Sequence, residues 1–179
     1  MLYIATFIDG YIARTDGSID WLEDPRYALE NEDYGYYDFI KSIDTTLMGN
    51  KTYQQVLGFN VPFPYPDTSN YVFTKIPVNK RDEYVEFVSG DIIEFTQNLK
   101  QMEGKDIWLI GGGQLNSAFL DNELIDEIIL NIIPVTLGEG IPLFTGAAKL
   151  DTHFKLTSCK TTQTALCKQS TKSRNSVSR

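Results

Sequence analysis

The chain is poor in the residues that build metal sites and disulfide frameworks: its 179 residues include two cysteines, Cys159 and Cys167, and one histidine, His153. Neither a zinc site of the usual Cys/His spacing nor a disulfide scaffold can be assembled from that set, so no metal is expected and both thiols read as reduced. His153 has no serine in a nucleophile-elbow glycine pattern to serve, which argues against a triad hydrolase. Long apolar runs are also missing. The best stretch, 125–135, is interrupted by acids and Asn131 and falls short of the roughly 20 residues that span a bilayer. Met1 leads into Leu2-Tyr3-Ile4-Ala5 without a basic leader, and Asp9 ends the apolar stretch before signal-peptide length. No membrane span is expected, and the expected location is the cytoplasm.

Positive charge is scarce over most of the chain. Of 16 basic side chains, against 24 acidic ones, six lie within 155–179 (Lys155, Lys160, Lys168, Lys172, Arg174, Arg179), where there is no acid. The first 154 residues therefore hold 10 basic and 24 acidic side chains, a formal −14. A body this acidic repels nucleic-acid phosphates and anionic membranes, so neither is an expected partner. The basic end reads as a solvated tail.

What is present suffices for one domain: 42% hydrophobic and 12% aromatic residues can build one substantial core. Leu2 to Ile8 is a β-rich apolar run stopped by the Asp9-Gly10 turn, which predicts a buried strand. A loop with polar turn residues follows and carries Trp21. Tyr36, Phe39, Ile40 and Ile43 fall at i, i+3, i+4, i+7 and predict an amphipathic helix over 32–43, with a strand at 45–48 after it. Gly49-Asn50-Lys51-Thr52 turns into a short helix, followed by a proline-rich loop at 61–66 and strands at 71–74 and 84–88. Asp91 with Glu94 three residues later predicts a capped helix reaching about Met102. A strand at 107–110, a helix at 114–120 and a strand at 127–135 complete the pattern. Alternating strands and helices predict a mainly parallel, twisted central sheet flanked by helices, a three-layer α/β/α fold. Beyond Ser158 the chain is Ser/Thr/Lys-rich, with Ala165-Leu166-Cys167 as its apolar patch, and cannot supply a fully buried strand. The expected division is a domain over 1–158 and a divergent or disordered tail over 159–179.

Ile107-Trp108-Leu109-Ile110 runs directly into Gly111-Gly112-Gly113 and then a helix. Without Cβ atoms the backbone can approach a phosphate closely, and the helix start offers unpaired N–H groups and a positive dipole end. A tight turn without a ligand uses the same glycines. The Rossmann fingerprint is matched only in part, because Asn116 stands where the third glycine belongs and no acid ends the next strand.

Four segments considered together go further: 4–13 (IATFIDGYIA), 48–53 (MGNKTY), 110–113 (IGGG) and 134–144 (PVTLGEGIPLF). In order and spacing they resemble the signature segments of the dihydrofolate-reductase-like family typified by the reductase domain of the bifunctional riboflavin-biosynthesis deaminase-reductase. The resemblance spans roughly residues 2–158. It implies an NADPH-dependent reductase of a ribosylated aminopyrimidine or related small heterocycle, working as a homodimer. By position, Ala5 would contact the nicotinamide carboxamide through its backbone. Gly49, Asn50, Lys51 and Thr52 would open a helix onto the cofactor phosphates. Gly111, Gly112, Gly113, Gln114 and Leu115 would cradle the pyrophosphate, and Thr74 with Lys75 would lie near the adenosine ribose. Lysines and hydroxyls also suit a 2′-phosphate.

Two departures stand out. Asn50 replaces a usual arginine, which leaves NADH possible, and residues 159–179 do not look like the apolar final hairpin of the family. Hydride chemistry belongs to the nicotinamide, so few side chains are needed. Asp9, at the end of the first strand, could bind substrate, relay a proton or merely cap its turn. Glu139, between two glycines, could reach a sugar hydroxyl. Asp33 occupies about the place of a pterin-binding acid, or serves a helix start. Trp21 could stack on a heterocycle. A dihydrofolate reductase and a nucleotide-binding module without turnover are the alternatives.

Overall fold

Alternating side chains decide which way each strand of this sheet faces. The structure, a computed structural model, describes residues 1–24, 26, 33–59, 61–76, 82–146, 152–161 and 167–173. In chain order these form β1 (Leu2–Phe7), β2 (Tyr11–Ala13), a single 3-10 turn (Asp20–Glu23), α1 (Tyr36–Ser42), β3 (Ile43–Gly49), α2 (Asn50–Gly58), β4 (Ser69–Phe73), β5 (Val85–Val88), α3 (Ile92–Gln101), β6 (Asp106–Gly111), α4 (Gly113–Asp121), β7 (Glu127–Ile133), β8 (Ile141–Pro142), β9 (Phe154–Thr161) and β10 (Cys167–Ser173). The main sheet has the order β5-β4-β3-β6-β1-β7-β10-β9, and β2 pairs with β8 in a separate two-stranded ribbon. Neighbours from β5 to β7 are parallel; β10 is antiparallel to both β7 and β9.

On one face Leu2, Leu47, Phe73 and Leu109 pack with Leu99 of α3 and with Leu115 and Phe119 of α4. On the other, Met48 and Val72 meet Tyr53 of α2, and Tyr3 and Trp108 meet Phe39 of α1. Consecutive residues such as Leu47 and Met48 thus go to opposite helical layers, the period of two that a strand imposes. Tyr3 stacks on Phe39 with centroids 4.2 Å apart, and Trp108 meets Phe39 edge-on at 5.1 Å. α3 begins as its cap pattern predicts, with the Asp91 carboxylate accepting from the Ile93 and Glu94 amides at 2.9 and 3.1 Å.

The main correction concerns the end of the chain. The boundary expected at 158/159 falls inside β9, and residues 167–173 of the supposed tail form β10, hydrogen-bonded between β7 and β9. Ladder bonds come from the backbone, so a polar strand can hold this place. β10 is half-buried except at Lys172, and the Lys168 ammonium lies 5.0 Å from the Tyr3 ring centroid, the side chain running over apolar surface to reach it. Lysines on outer β9 guard the sheet edge. The Ala165-Leu166 patch and residues 174–179 lie outside the described residues, as does position 32 at the expected start of the first helix. Cys159 and Cys167 are free thiols with Sγ atoms 3.5 Å apart.

Asn70 ties the far side of the sheet together. Its buried amide accepts from the hydroxyls of Thr46 and Thr68 at 2.6 and 2.9 Å, and donates to the carbonyls of Tyr65, Thr68 and Tyr84 at 2.9, 2.8 and 3.0 Å. Asn70→Ala strips partners from several groups at once and is expected to cost about 2–3 kcal/mol, read as a lowered midpoint in urea unfolding with an unchanged slope.

Candidate active site

Because β4, β3, β6, β1 and β7 run parallel, their carboxyl ends share one edge of the sheet. Gly49 lies opposite Phe73, Met48 opposite Gly111, and Phe7 opposite Ile133. Thr74 and Lys75, directly after Phe73, belong to the same edge. β1 pairs with β7 from Leu2 to Phe7 but with β6 only at Leu2 opposite Leu109, so β1 and β6 part as they approach it. The Trp108 indole N–H reaches into the parting and donates to the Tyr3 carbonyl at 3.1 Å. Ala5 lies on the β1 side of that opening. Crevices at the carboxyl ends of parallel strands are where open α/β sheets hold their ligands.

Two helices start beside the crevice. α2 follows Gly49 and α4 follows Gly112, and neither start has a side-chain cap or an acid in its first turn, in contrast to α3. Among the described residues the first amides of each helix therefore have no side-chain partner, and a positive dipole end stands behind them. The Thr52 hydroxyl donates to the Gly111 carbonyl at 3.1 Å and fastens the two starts together. The three glycines do different jobs. Gly111, at φ +111, has Asn116 Oδ1 2.9 Å from where a Cβ would stand, and Gly113 has the Pro142 carbonyl and Thr145 hydroxyl at 2.4 Å. Those two are required by protein packing. Gly112, at φ +95, meets among the described residues only Thr52 Oγ1, at 3.2 Å. Asn50, Lys51 and Gln114 are exposed, whereas the Leu115 side chain is buried in the core, which leaves its amide as the group that faces the edge.

The Asp9 carboxylate has a definite task. Its Oδ2 accepts from the amides of Leu137 and Gly138, both at 2.8 Å, and so clamps the loop after β7 onto the end of β1. Leu143 N to Gly10 O, at 2.8 Å, closes the same loop further along. Glu139 is exposed on it. Asp33 accepts from the Gly35 and Tyr37 amides at 3.0 and 2.9 Å, which organises the start of α1. These bonds hold its carboxyl below the usual range, the Tyr37 amide contributing most, with a smaller contribution from the Lys168 charge. Trp21 is buried against Phe7, centroids 4.4 Å apart, and Ala5, Tyr11 and Tyr34 pack on their cluster. The expected residues thus fall into an edge group around Gly49, Gly111 and Asp9, and a second group, Trp21 and Asp33, on the α1 face.

Three residues here were not anticipated. Asn116, fully buried, donates to the Leu143 carbonyl at 2.9 Å and latches the 142–145 loop to α4. Asn131 and Lys168 are neighbours across β7 and β10. A lone asparagine inside the apolar run 128–133 was the available signal for Asn131; nothing local marked Lys168 among the other lysines. Among the described residues no helix is long and apolar enough to cross a membrane, and no three or more of His, Cys, Asp and Glu are placed to hold a metal.

Asp9 and Asp33 generate two tests. Asp9→Asn keeps an acceptor for the loop and is expected to retain most function, whereas Asp9→Ala should speed hydrogen exchange at Leu137 and Gly138; equal loss of activity in both variants would make Asp9 a proton carrier instead. A carboxyl with a lowered folded-state pKa stabilises above its ordinary value and loses that contribution as pH falls. Asp33→Ala should therefore melt below the parent at pH near 7, the gap closing as pH falls through and below the ordinary carboxylate range.

Comparison with known proteins agrees with this architecture. The family model of the RibD C-terminal domain matches residues 66–168. The uncharacterized Bacillus subtilis protein YwjB is 46% identical over 145 residues, 80% of this chain and 81% of that protein. Uncharacterized YyaP of the same organism is 36% identical over 156 residues, 80% of this chain and 79% of its own. Among solved structures, a Shewanella sp. PV-4 protein named for riboflavin biosynthesis superposes with a TM-score of 0.86 at 27% identity, covering 97% of this chain and 98% of its own. The Thermotoga maritima diaminohydroxyphosphoribosylaminopyrimidine deaminase/5-amino-6-(5-phosphoribosylamino)uracil reductase shares the fold, with a TM-score of 0.71 at 16% identity over 96% of this chain and 55% of its own. With more than half of the chain under the family model, and the sheet order and glycine loop described above, this protein belongs to the RibD C-terminal domain family.

Proposed function

We propose that the protein is a reductase that uses NADPH to reduce a ribosylated aminopyrimidine or a related small heterocycle, akin to 5-amino-6-(5-phosphoribosylamino)uracil reductase. One observation carries the reading: two uncapped helix starts, both without acids, stand side by side at the edge where β1 and β6 part. In a chain of net charge −8, such a concentration of unpaired donors suits a dianionic pyrophosphate. The residues fit the cofactor. The amides of 50–52 and 113–115 would hold the phosphates, and Lys51, Thr74 and Lys75 would meet the adenosine ribose and its 2′-phosphate. NADH is the alternative cofactor, since Asn50 brings no charge.

When bound, the reduced nicotinamide supplies a hydride to an electrophilic carbon of the substrate. The chain's own part is to orient and enclose. Ala5 would offer backbone groups in the opening beside β6, and Trp21 would wall the substrate side. Asp9 would hold the 137–140 loop in place, and Glu139 would bind a sugar hydroxyl of the substrate. Both Asp33 oxygens are already used by backbone amides, which counts against a pterin substrate bound through that acid. A homodimer forms part of the same proposal, and light scattering at tens of micromolar should give twice the chain mass.

Titration of NADPH followed by fluorescence should show saturable binding, with loss of 340 nm absorbance once an aminopyrimidine substrate is added. Gly112→Ala should weaken NADPH at least tenfold, about 1.4 kcal/mol. Gly113→Ala should act mainly by lowering the melting temperature, because its Cβ collides with the Pro142 carbonyl. Binding of neither NADPH nor NADH would overturn the proposal; binding without turnover on any heterocycle would favour the nucleotide-binding module.

A further inference from the structure

On the α1 face of the sheet, three neighbouring strands place Ala5, Asn131 and Lys168 in one row: Ala5 of β1 opposite Asn131 of β7, and Asn131 opposite Lys168 of β10. Asn131 is 5% exposed, and among the described residues its Oδ1 has no hydrogen-bond partner. The Lys168 ammonium donates one proton to the Tyr34 carbonyl at 2.8 Å and stands over the Tyr3 ring. An ammonium has three donors. Near this row lies a second group unmatched among the described residues, the Trp21 indole N–H, 4% exposed in the cluster that includes Ala5 and Tyr34. Leaving a buried polar group unmatched is costly, so two of them around one small alanine call for a ligand that supplies their partners.

We infer that Asn131 and Lys168 are the specificity-determining pair for the substrate's heterocycle, reading a ring edge on which an N–H stands beside a C=O. The ring N–H donates to Asn131 Oδ1 and the ring carbonyl accepts from the Lys168 ammonium. The Trp21 indole is placed to donate to a second carbonyl. The alternation of donor and acceptor selects the ligand class. A phosphate or carboxylate offers acceptors alone; it would suit Lys168 but set its lone pairs against those of Oδ1. The site therefore takes the head of the substrate and leaves its anionic tail elsewhere. Ala5 supplies the room, since its methyl is the smallest side chain that an alternating strand can present there. Burial lowers the Lys168 pKa, with Lys160 adding to the shift and Asp33 opposing it; a less hydrated ammonium binds a carbonyl more tightly. That the ligand is a heterocycle rests on the reductase reading above, whereas the open acceptor beside a cation does not.

The test uses 6-aminouracil, 1,3-dimethyl-6-aminouracil, which lacks the ring N–H, and NADPH as separate probes in calorimetric titrations of the full chain. The parent should bind 6-aminouracil at least tenfold more tightly than the dimethyl compound. Asn131→Leu and Lys168→Met should each lose at least tenfold for 6-aminouracil while holding NADPH within twofold. Asn131→Leu should also melt no lower than the parent, because an apolar side chain of similar size replaces an unmatched amide. If Asn131→Leu does not fold, Lys168→Met and the dimethyl comparison carry the test alone. Equal affinity for the two uracils, no binding of 6-aminouracil, or unchanged affinity in the folded variants would overturn the inference. Failure of NADPH to bind while the uracil pattern holds would sink the cofactor reading and leave the pair standing.

Discussion

Close backbone approach at the glycine positions is the constraint on which the candidate site depends. Gly111 allows the Asn116 amide to lie where a Cβ would stand, Gly113 admits the Pro142 carbonyl and Thr145, and Gly140 admits the Ala13 carbonyl at 2.3 Å from its Cβ position. The Gly113 and Gly140 contacts draw the loop after β7 down onto the carboxyl edge, and the Gly111 contact seats the Asn116 amide that latches it. With a side chain at any of them the loop would stand off, the Asn116–Leu143 latch would open, and the Asp9 clamp would lose its amides. The loop that carries Glu139 is thus positioned by what is missing from the backbone around it.

The second organising feature is electrostatic. Backbone dipoles supply positive potential that the side chains of the first 154 residues, with their excess of acids, do not. α3 spends its N-terminal amides on Asp91, an ordinary surface cap. α2 and α4 spend none on side chains, and Thr52 fixes their mutual placement by donating to a carbonyl, which leaves the amides available. An acid in either first turn would have cancelled the arrangement. The parting of β1 from β6 puts the opening beside these amides rather than on the opposite edge.

The polar groups on the α1 face follow a different logic. An apolar face interrupted by Asn131, the Trp21 indole N–H and the Lys168 ammonium is less stable than one filled with leucine. Such interruptions are kept where something other than folding uses them. Their geometry depends on the closing hairpin, because Lys168 reaches this row only through the β10–β7 ladder, and the Asp33-organised turn supplies the Tyr34 carbonyl that holds it.

The sequence by itself determined the alternation of strands and helices, and with it the parallel sheet, because side-chain period and capping are local properties. Leu47 and Met48 diverge to two layers, Asp91 caps α3, and 107–110 run straight into glycines; each is readable within a few residues. It also marked the glycine loop, the start of α2 and Asp9 as one constellation, through four segments in a recognisable order. Only the tertiary structure decided which of three glycines is free to face a ligand, since that depends on Asn116, Pro142 and Thr52 arriving from elsewhere. It turned Asp9 into a loop clamp through amides 128 and 129 residues away. It also made a strand of 167–173 and set Lys168 beside Asn131. A polar strand held by backbone bonds on both sides leaves no hydrophobic pattern to read, because its stability resides in its neighbours' hydrogen-bonding groups and not in its own side chains.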